Sequence, residues 1–232
     1  MEEQWRERPE DRGLNKGGKD AAVLGVVMDL NMLRGFLQRS FRPNRMRVFF
    51  ETFGVTCKTK ILDVGGSPHI WEDCPLRPDV TLVNTLADWP RNGFKLVYAD
   101  ATNLPFLDGS FDIAFSNSVI EHLGNWGQQE RMAKEVRRVA SHYFVQTPNF
   151  WFPVEPHYLA PFIHYLPRSL RRHAVRWVTP HGWTARPSRE EIAIMVDEIS
   201  LLSERQLRQL FPDGEIYREK VLGVTKSLAA YR

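Results

Sequence analysis

The chain has 232 residues, 43% hydrophobic and 25% charged, with a formal net charge of +3 and a sequence pI near 8.9. That length suits one α/β domain with an elaborated cap, and the composition is that of an ordinary globular protein. The mild basicity does not point to nucleic acid, and no apolar run is long enough to span a bilayer.

The first twenty residues alternate acidic and basic groups without an apolar core, so they read as a disordered tail and not as a secretory signal. Two cysteines, Cys57 and Cys74, make no disulfide framework, and a cytoplasmic location is the default expectation. Residues 21–58 carry apolar side chains at helical spacing, interrupted by Pro43, and are expected to form an N-terminal helical cap of two short helices.

From Lys60 onward the pattern changes. Lys60–Val64, Asp79–Asn84, Lys95–Ala99, Phe111–Ser116 and Tyr143–Gln146 are short apolar runs, and a helix is expected from about Gln128 to Ala140. Apolar runs alternating with helical segments predict a mostly parallel sheet covered on both faces. Ser188–Glu191 and Ser203–Gln206 are capping-box patterns that open two further helices. Glu215–Leu222 and Lys226–Tyr231, separated by Gly223-Val224-Thr225, predict an antiparallel hairpin closing the sheet.

The strongest chemical signal is Ile61-Leu62-Asp63-Val64-Gly65-Gly66-Ser67-Pro68. A strand ending in glycines at the carboxyl edge of a parallel sheet lets the backbone approach a ligand, with the following amides available as donors. Later loops carry Asn84, then Asp100-Ala101-Thr102-Asn103-Leu104-Pro105-Phe106, then Asp108-Gly109-Ser110-Phe111-Asp112, then Ser116-Asn117-Ser118-Val119-Ile120-Glu121-His122. A nicotinamide-dependent oxidoreductase would want Gly-x-Gly-x-x-Gly opening a longer helix and an acidic residue about twenty positions on; neither has the expected form here.

From Lys60 to Pro148 these pieces resemble the class I S-adenosylmethionine-dependent methyltransferases, in the broad group of small-molecule methyltransferases. The resemblance implies a Rossmann-like fold with a seven-stranded sheet, a C-terminal antiparallel hairpin and helices on both faces, spanning residues 59–232. It implies S-adenosylmethionine as cofactor. Asp63, Gly65, Gly66 and Ser67 are expected at its methionine part, Asn84 at the ribose, Asp100 and Ala101 at the adenine, and Asn117 at the sulfonium end. Two departures stand out. Asn84 replaces the usual acidic residue, and about a dozen residues separate Gly66 from the second strand, leaving room only for a shortened helix near Pro68.

Methyl transfer needs alignment of acceptor, methyl and sulfur, and a base if the acceptor is a hydroxyl. His122 and His157 are the candidate bases. The Glu121-His122 pair is similar to one that a subset of the family uses to hold a divalent ion, with Glu155 or His157 as further ligands. Ser118 stands where the RNA-methylating members of that subset carry another glutamate, and no metal ligands are assigned.

Residues 148–187 form a long insertion expected to act as a substrate cap. It contains Phe150, Trp151, Phe152, Tyr158, Phe162, Tyr165, Trp177 and Trp183, with Arg168, Arg171, Arg172 and Arg176 in a basic run. The aromatics suit a planar or lipid-like acceptor if they face the site, and otherwise pack the cap onto the sheet. The arginines suit an anionic or lipid-linked acceptor if they face one, and otherwise form a solvated helix face. His164, His173 and His181 have no metal spacing and read as structural. The functional expectation is methyl transfer to the hydroxyl oxygen of a small-molecule or glycan- or lipid-type acceptor. RNA methylation, or cofactor binding without catalysis, are the alternatives.

Overall fold

The structure is a computed structural model and describes residues 42–72, 74–85, 93–184 and 186–232, without the side chains of His181 and Thr184. The expected tail and the first of the two expected N-terminal helices lie outside the described residues.

Seven strands form one sheet: β1 (Lys60–Val64), β2 (Asp79–Asn84), β3 (Lys95–Tyr98), β4 (Phe111–Asn117), β5 (Ala140–Pro148), β8 (Glu215–Val221) and β9 (Val224–Tyr231). Their order is β3-β2-β1-β4-β5-β9-β8. The first five run parallel, and β9 pairs antiparallel to β5 and to β8. Two more strands, β6 (Val154–Glu155) and β7 (Ala160–Pro161), make a small antiparallel pair inside the 148–187 insertion. The chain steps outward from β1 to β2 and β3, then crosses back to β4. This reversal leaves a crevice at the carboxyl ends of β1 and β4.

The two sheet faces are covered differently. One face receives α2 (Trp126–Val139) and α6 (Glu204–Leu210), whose Met132, Val136 and Leu207 pack with Leu62, Ala114 and Val145. The other receives α1, the helix over 42–53, which buries Met46 and Phe49 against Trp71, Phe115 and Phe144. Phe49 meets the Phe115, Phe144 and Trp71 rings edge-on at centroid separations of 5.0, 5.6 and 6.2 Å. Each such pair contributes roughly 0.5–1.5 kcal/mol beyond its buried area.

Strand alternation accounts for this arrangement. In β1, Ile61 joins the α1 side and Leu62 and Val64 the α2 side, so both faces of the strand are apolar. Between β1 and β2 the expected short helix is a single 3-10 turn, Pro68–Ile70, with proline at its first position. α5 (Arg189–Glu198) and α6 open on the capping boxes read from Ser188 and Ser203. The hairpin turn is tighter than expected: Leu222 and Gly223 alone make it, at φ +48° and +83°, and Val224 already pairs with Val221. Positive φ at both central residues gives the twist that closes a two-residue hairpin.

The insertion packs on itself and on α5. Tyr158, Ile163 and Val175 of α3 (Arg168–Val178) form a third apolar cluster with Ile192 and Val196 of α5. Here α4 (Pro180–Thr184) folds back on α3, with Gly182 so close to the Val175 carbonyl that a Cβ would sit 2.2 Å from it.

Candidate active site

A cavity of about 360 Å³ opens at the carboxyl ends of β1, β4 and β5. Asp63, Gly65, Gly66 and Ser67 line one side, Asn117, Ser118 and His122 its floor, and Phe152 and His157 the side given by the insertion. The volume lies within the range of small-molecule sites.

The glycine turn is built around the Asp63 carboxyl group. Gly65 has φ +75°, a conformation that disfavours any side chain, and a Cβ there would meet Val119 at 2.4 Å. A Cβ on Gly66 would lie 2.1 Å from the Asp63 carboxyl carbon. Asp63 is fully buried and accepts from the Trp71 indole N–H at 2.7 Å through Oδ2. Its Oδ1 has no hydrogen-bond partner among the described residues. Burial therefore pushes the Asp63 carboxyl up to about 7, opposed by the Trp71 hydrogen bond. A buried carboxylate oxygen with nothing to accept from suits a ligand that brings a cationic N–H donor.

Asn84 donates its side-chain amide to the Gly66 carbonyl at 3.2 Å and braces the turn. Asp100 accepts from the Thr102 backbone N–H and hydroxyl at 2.8 and 2.9 Å, holding its own loop. Ala101 is buried in the core beneath. Neither Asn84 nor Asp100 lines the main cavity; Asp100 borders an adjoining hollow with Thr102 and Leu123 that His122 also reaches.

After β4 the chain turns sharply. Ser118 takes φ +57°, a left-handed backbone that serine adopts at a cost of order 1 kcal/mol. Its hydroxyl donates to Gln146 Oε1 at 3.0 Å. The 3-10 turn Ile120–His122 follows, anchored by the Gln129 amide on the Ile120 and Ser200 carbonyls at 3.1 and 2.9 Å. This turn buries Glu121 completely and directs His122 at the cavity.

His122 and His157 come from segments 35 positions apart, yet their Nε2 atoms lie 3.1 Å apart with rings nearly perpendicular at 89°. Behind His157, the wholly buried Glu155 approaches Nδ1 at 2.5 Å, and its other oxygen accepts from the Tyr158 N–H at 2.6 Å. A carboxylate on Nδ1 holds the proton there and leaves Nε2 as the lone-pair nitrogen. Glu121 sits beneath the pair. Thr147 donates to its Oε2 at 2.9 Å, while Oε1 is buried without a hydrogen-bond partner among the described residues. Burial raises the Glu121 carboxyl to about 7, with His157 pulling the other way. One oxygen of Glu121 and a ring nitrogen from each histidine lie within 4.8 Å of one another, a grouping that can hold a metal ion. The resemblance offered Glu155 or His157 beside the adjacent Glu121-His122 pair without an assignment; the fold groups His157 with the pair.

Of the eight aromatics of the insertion, only Phe152 lines the cavity. Tyr158 is buried in the third apolar cluster, and Trp151, Phe162, Trp177 and Trp183 are exposed. The expected aromatic wall is thus one residue, because most of these rings either pack α3 onto α5 or face solvent. Among the arginines, Arg171 donates to the His164 and Leu166 carbonyls and Arg172 pairs with Asp197 at 2.6 Å; none of the four lines the cavity. His164 is buried on the Phe150 carbonyl at 2.9 Å, a structural role as expected.

Sequence reading passed over the opposite wall. Arg42 and Arg45 of α1 and Lys226 and Ser227 of β9 line it. Arg-x-x-Arg at helical spacing was visible in the chain, but nothing local marks which face of α1 meets the sheet.

Residues 78–142 match the methyltransferase-domain family. An uncharacterized methyltransferase of Mycobacterium sp. strain KMS is 35% identical over 89 residues, covering 34% of this chain and 33% of that protein. A candidate methyltransferase of Encephalitozoon cuniculi is 49% identical over 47 residues, 20% of this chain. The chain spans 22% and 33% of the lengths of these curated relatives. An S-adenosylmethionine-dependent methyltransferase from Archaeoglobus fulgidus shares the fold, with a TM-score of 0.52 at 12% identity over 84% of this chain and 97% of that one.

Proposed function

We propose that this chain, a class I S-adenosylmethionine-dependent methyltransferase by its fold and its family match, methylates a hydroxyl oxygen of a small-molecule or glycan- or lipid-type acceptor. The observation that carries the reading is that the glycine turn and the His122–His157 pair open onto one cavity. When bound, the cofactor supplies a methyl group already activated on a sulfonium, so the protein's task is positioning and proton removal.

The residues suit that cofactor. The unpartnered Asp63 Oδ1 is matched to its ammonium group, and Gly65, Gly66 and Ser67 line the cavity at its methionine end. On this reading the sulfonium falls at Asn117, the ribose toward Asn84, and the adenine toward the adjoining hollow bordered by Asp100, with Ala101 beneath it. On the acceptor side, His157 takes the hydroxyl proton at Nε2. Glu155 orients the ring through Nδ1 and stabilises the imidazolium that forms. His122 Nε2 lies 3.1 Å from the same nitrogen, so the acceptor hydroxyl replaces that contact when it binds, with His122 left beside it to position the oxygen.

Calorimetry with S-adenosylhomocysteine, and NAD as control, tests the cofactor half. Binding of the sulfur compound alone, lost in Gly65→Val and Asp100→Ala, is expected; no binding to the intact chain overturns the reading.

One observation favours a second reading of the acceptor side. The unpartnered Glu121 Oε1 lies beside the two histidine nitrogens, a donor set suited to Zn²⁺, Co²⁺ or Mn²⁺. Glu121, His122 and His157 would hold the ion, which would supply Lewis acidity toward an acceptor oxygen. Titration with Co²⁺ followed by visible absorption decides between the two. Bands that appear in the intact chain and vanish in Glu121→Gln support the ion, and their absence leaves His157 as base.

A further inference from the structure

The cavity wall built from α1 and β9 has a charge pattern that the methyl-transfer chemistry does not use. Arg45, 8% exposed, is fixed by three partners: Asn117 Oδ1 at the end of β4, Gln146 Oε1 on β5 at 3.0 Å, and Glu219 Oε2 on β8 at 2.7 Å. Glu219 is itself buried and also accepts from the Ser227 hydroxyl at 2.6 Å. The Arg45 guanidinium is therefore a rigid fixture, yet its Nε is buried with no hydrogen-bond partner among the described residues. Beside it on the same cavity wall stand Arg42 and Lys226.

Among the described residues of this wall, three cations meet one carboxylate, Glu219. Burial lowers the Arg42 guanidinium from its ordinary value, and repulsion from Arg45 lowers it further. Lys226 is also lowered by burial, with Glu219 pulling up and Arg45 pushing down. Half-buried cations held against one another cost free energy that a bound anion recovers, because opposite charge in a partly dehydrated site favours the charged forms. Guanidinium and ammonium groups converging on one wall are also the donor set that carboxylate and phosphate recognition uses.

We infer that the acceptor is an acid, whose carboxylate or phosphate group docks on Arg42, Arg45 and Lys226 and so presents its reacting atom toward the histidine pair. This rests on the reading of the cavity as a methyl-transfer site and adds the acceptor's class. Arg45 is tied to Asn117 of β4, to β5 and to β8, on the opposite side of β1 from Asn84, so the wall begins beyond the sulfonium end, and the cofactor's own carboxylate is the competing occupant that the test must separate. None of the four arginines of the insertion takes part.

The test is thermal stability of the full chain in phosphate or benzoate against chloride at constant ionic strength, with and without saturating S-adenosylhomocysteine. Variants are Arg42→Gln and Lys226→Gln, which leave the buried Arg45–Glu219 pair in place. The expected result is a rise in Tm with phosphate or benzoate in the intact chain and loss of most of that rise in either variant. The same variants should change S-adenosylhomocysteine affinity by less than twofold, and benzamide should give no rise. An intact chain with no response to either anion, or a response unchanged in both variants, overturns the inference. If the variants lose S-adenosylhomocysteine affinity tenfold or more, the wall holds the cofactor's carboxylate and the acidic acceptor is wrong. If S-adenosylhomocysteine does not bind the intact chain at all, the methyl-transfer reading fails, while the anion response still reports on the wall.

Discussion

His157 Nε2 lies 3.1 Å from His122 Nε2, and the two rings stand almost at right angles. Glu155 on the far nitrogen of His157 breaks the symmetry of the pair, so the two histidines have different tasks.

Glu155→Gln tests that asymmetry. The amide keeps the volume of a fully buried side chain but removes the charge behind His157. Turnover is expected to fall about 10- to 100-fold, the cost usual for losing a residue that orients an active-site imidazole. His157→Ala is expected to lose more, about 10²- to 10⁴-fold. Steady-state kinetics with an acceptor in hand, alongside S-adenosylhomocysteine affinity unchanged in both variants, checks the assignment. Equal losses in His122→Ala and His157→Ala would assign the two rings one shared task.

Gly66→Ala should abolish cofactor binding without unfolding the chain. The added methyl sits 2.1 Å from the Asp63 carboxyl carbon and displaces it from the Trp71 indole. Overpacking of this kind costs about 1–3 kcal/mol. Chemical denaturation measures that loss, and calorimetry measures the missing affinity.

Asp63 makes stability depend on pH. Its carboxyl is raised to about 7 in the fold from an ordinary value of 3.8. Between those values the unfolded chain has released the proton and the folded one retains it. Stability therefore falls as pH rises from about 4 to about 7, then levels off. Asp63→Asn removes this contribution, of order a few kcal/mol. Denaturation at pH 5 and pH 8 should show a smaller drop for the variant than for the parent; equal drops would mean the carboxyl is not held neutral. Glu121, also raised to about 7, keeps its share of the slope in both proteins.

Ser188→Ala removes the side-chain half of a capping box: Ser188 Oγ accepts from the Glu191 N–H at 3.1 Å, while the Ser188 backbone N–H, which alanine keeps, donates to the Glu191 carboxylate at 2.7 Å. A loss of about 1 kcal/mol is expected, read from the denaturation midpoint. Since α5 packs on α3 through Ile192 and Val196, the insertion should become easier to cleave with protease.

What the sequence by itself determined is local. Apolar runs bounded by turn residues placed the five parallel strands, because a strand covered on both faces is mostly apolar, and the turn at Gly223 placed the closing hairpin. Ser188 and Ser203 announced their helices, because a capping box closes within four residues. The Gly65-Gly66 turn was legible because only glycine tolerates its φ and its approach to Asp63. Tertiary structure decided the contacts between distant segments. His122 gained its orientation from a 3-10 turn after a left-handed Ser118, and met His157 only because β6 and β7 fold the insertion back. Most of the insertion's aromatics left the site for the α3–α5 core or for solvent, which composition does not distinguish. The Arg42–Arg45–Lys226 wall joins a helix before the sheet to its last strand. No spacing rule reaches across that distance, because side chains meet there through packing and not through chain order.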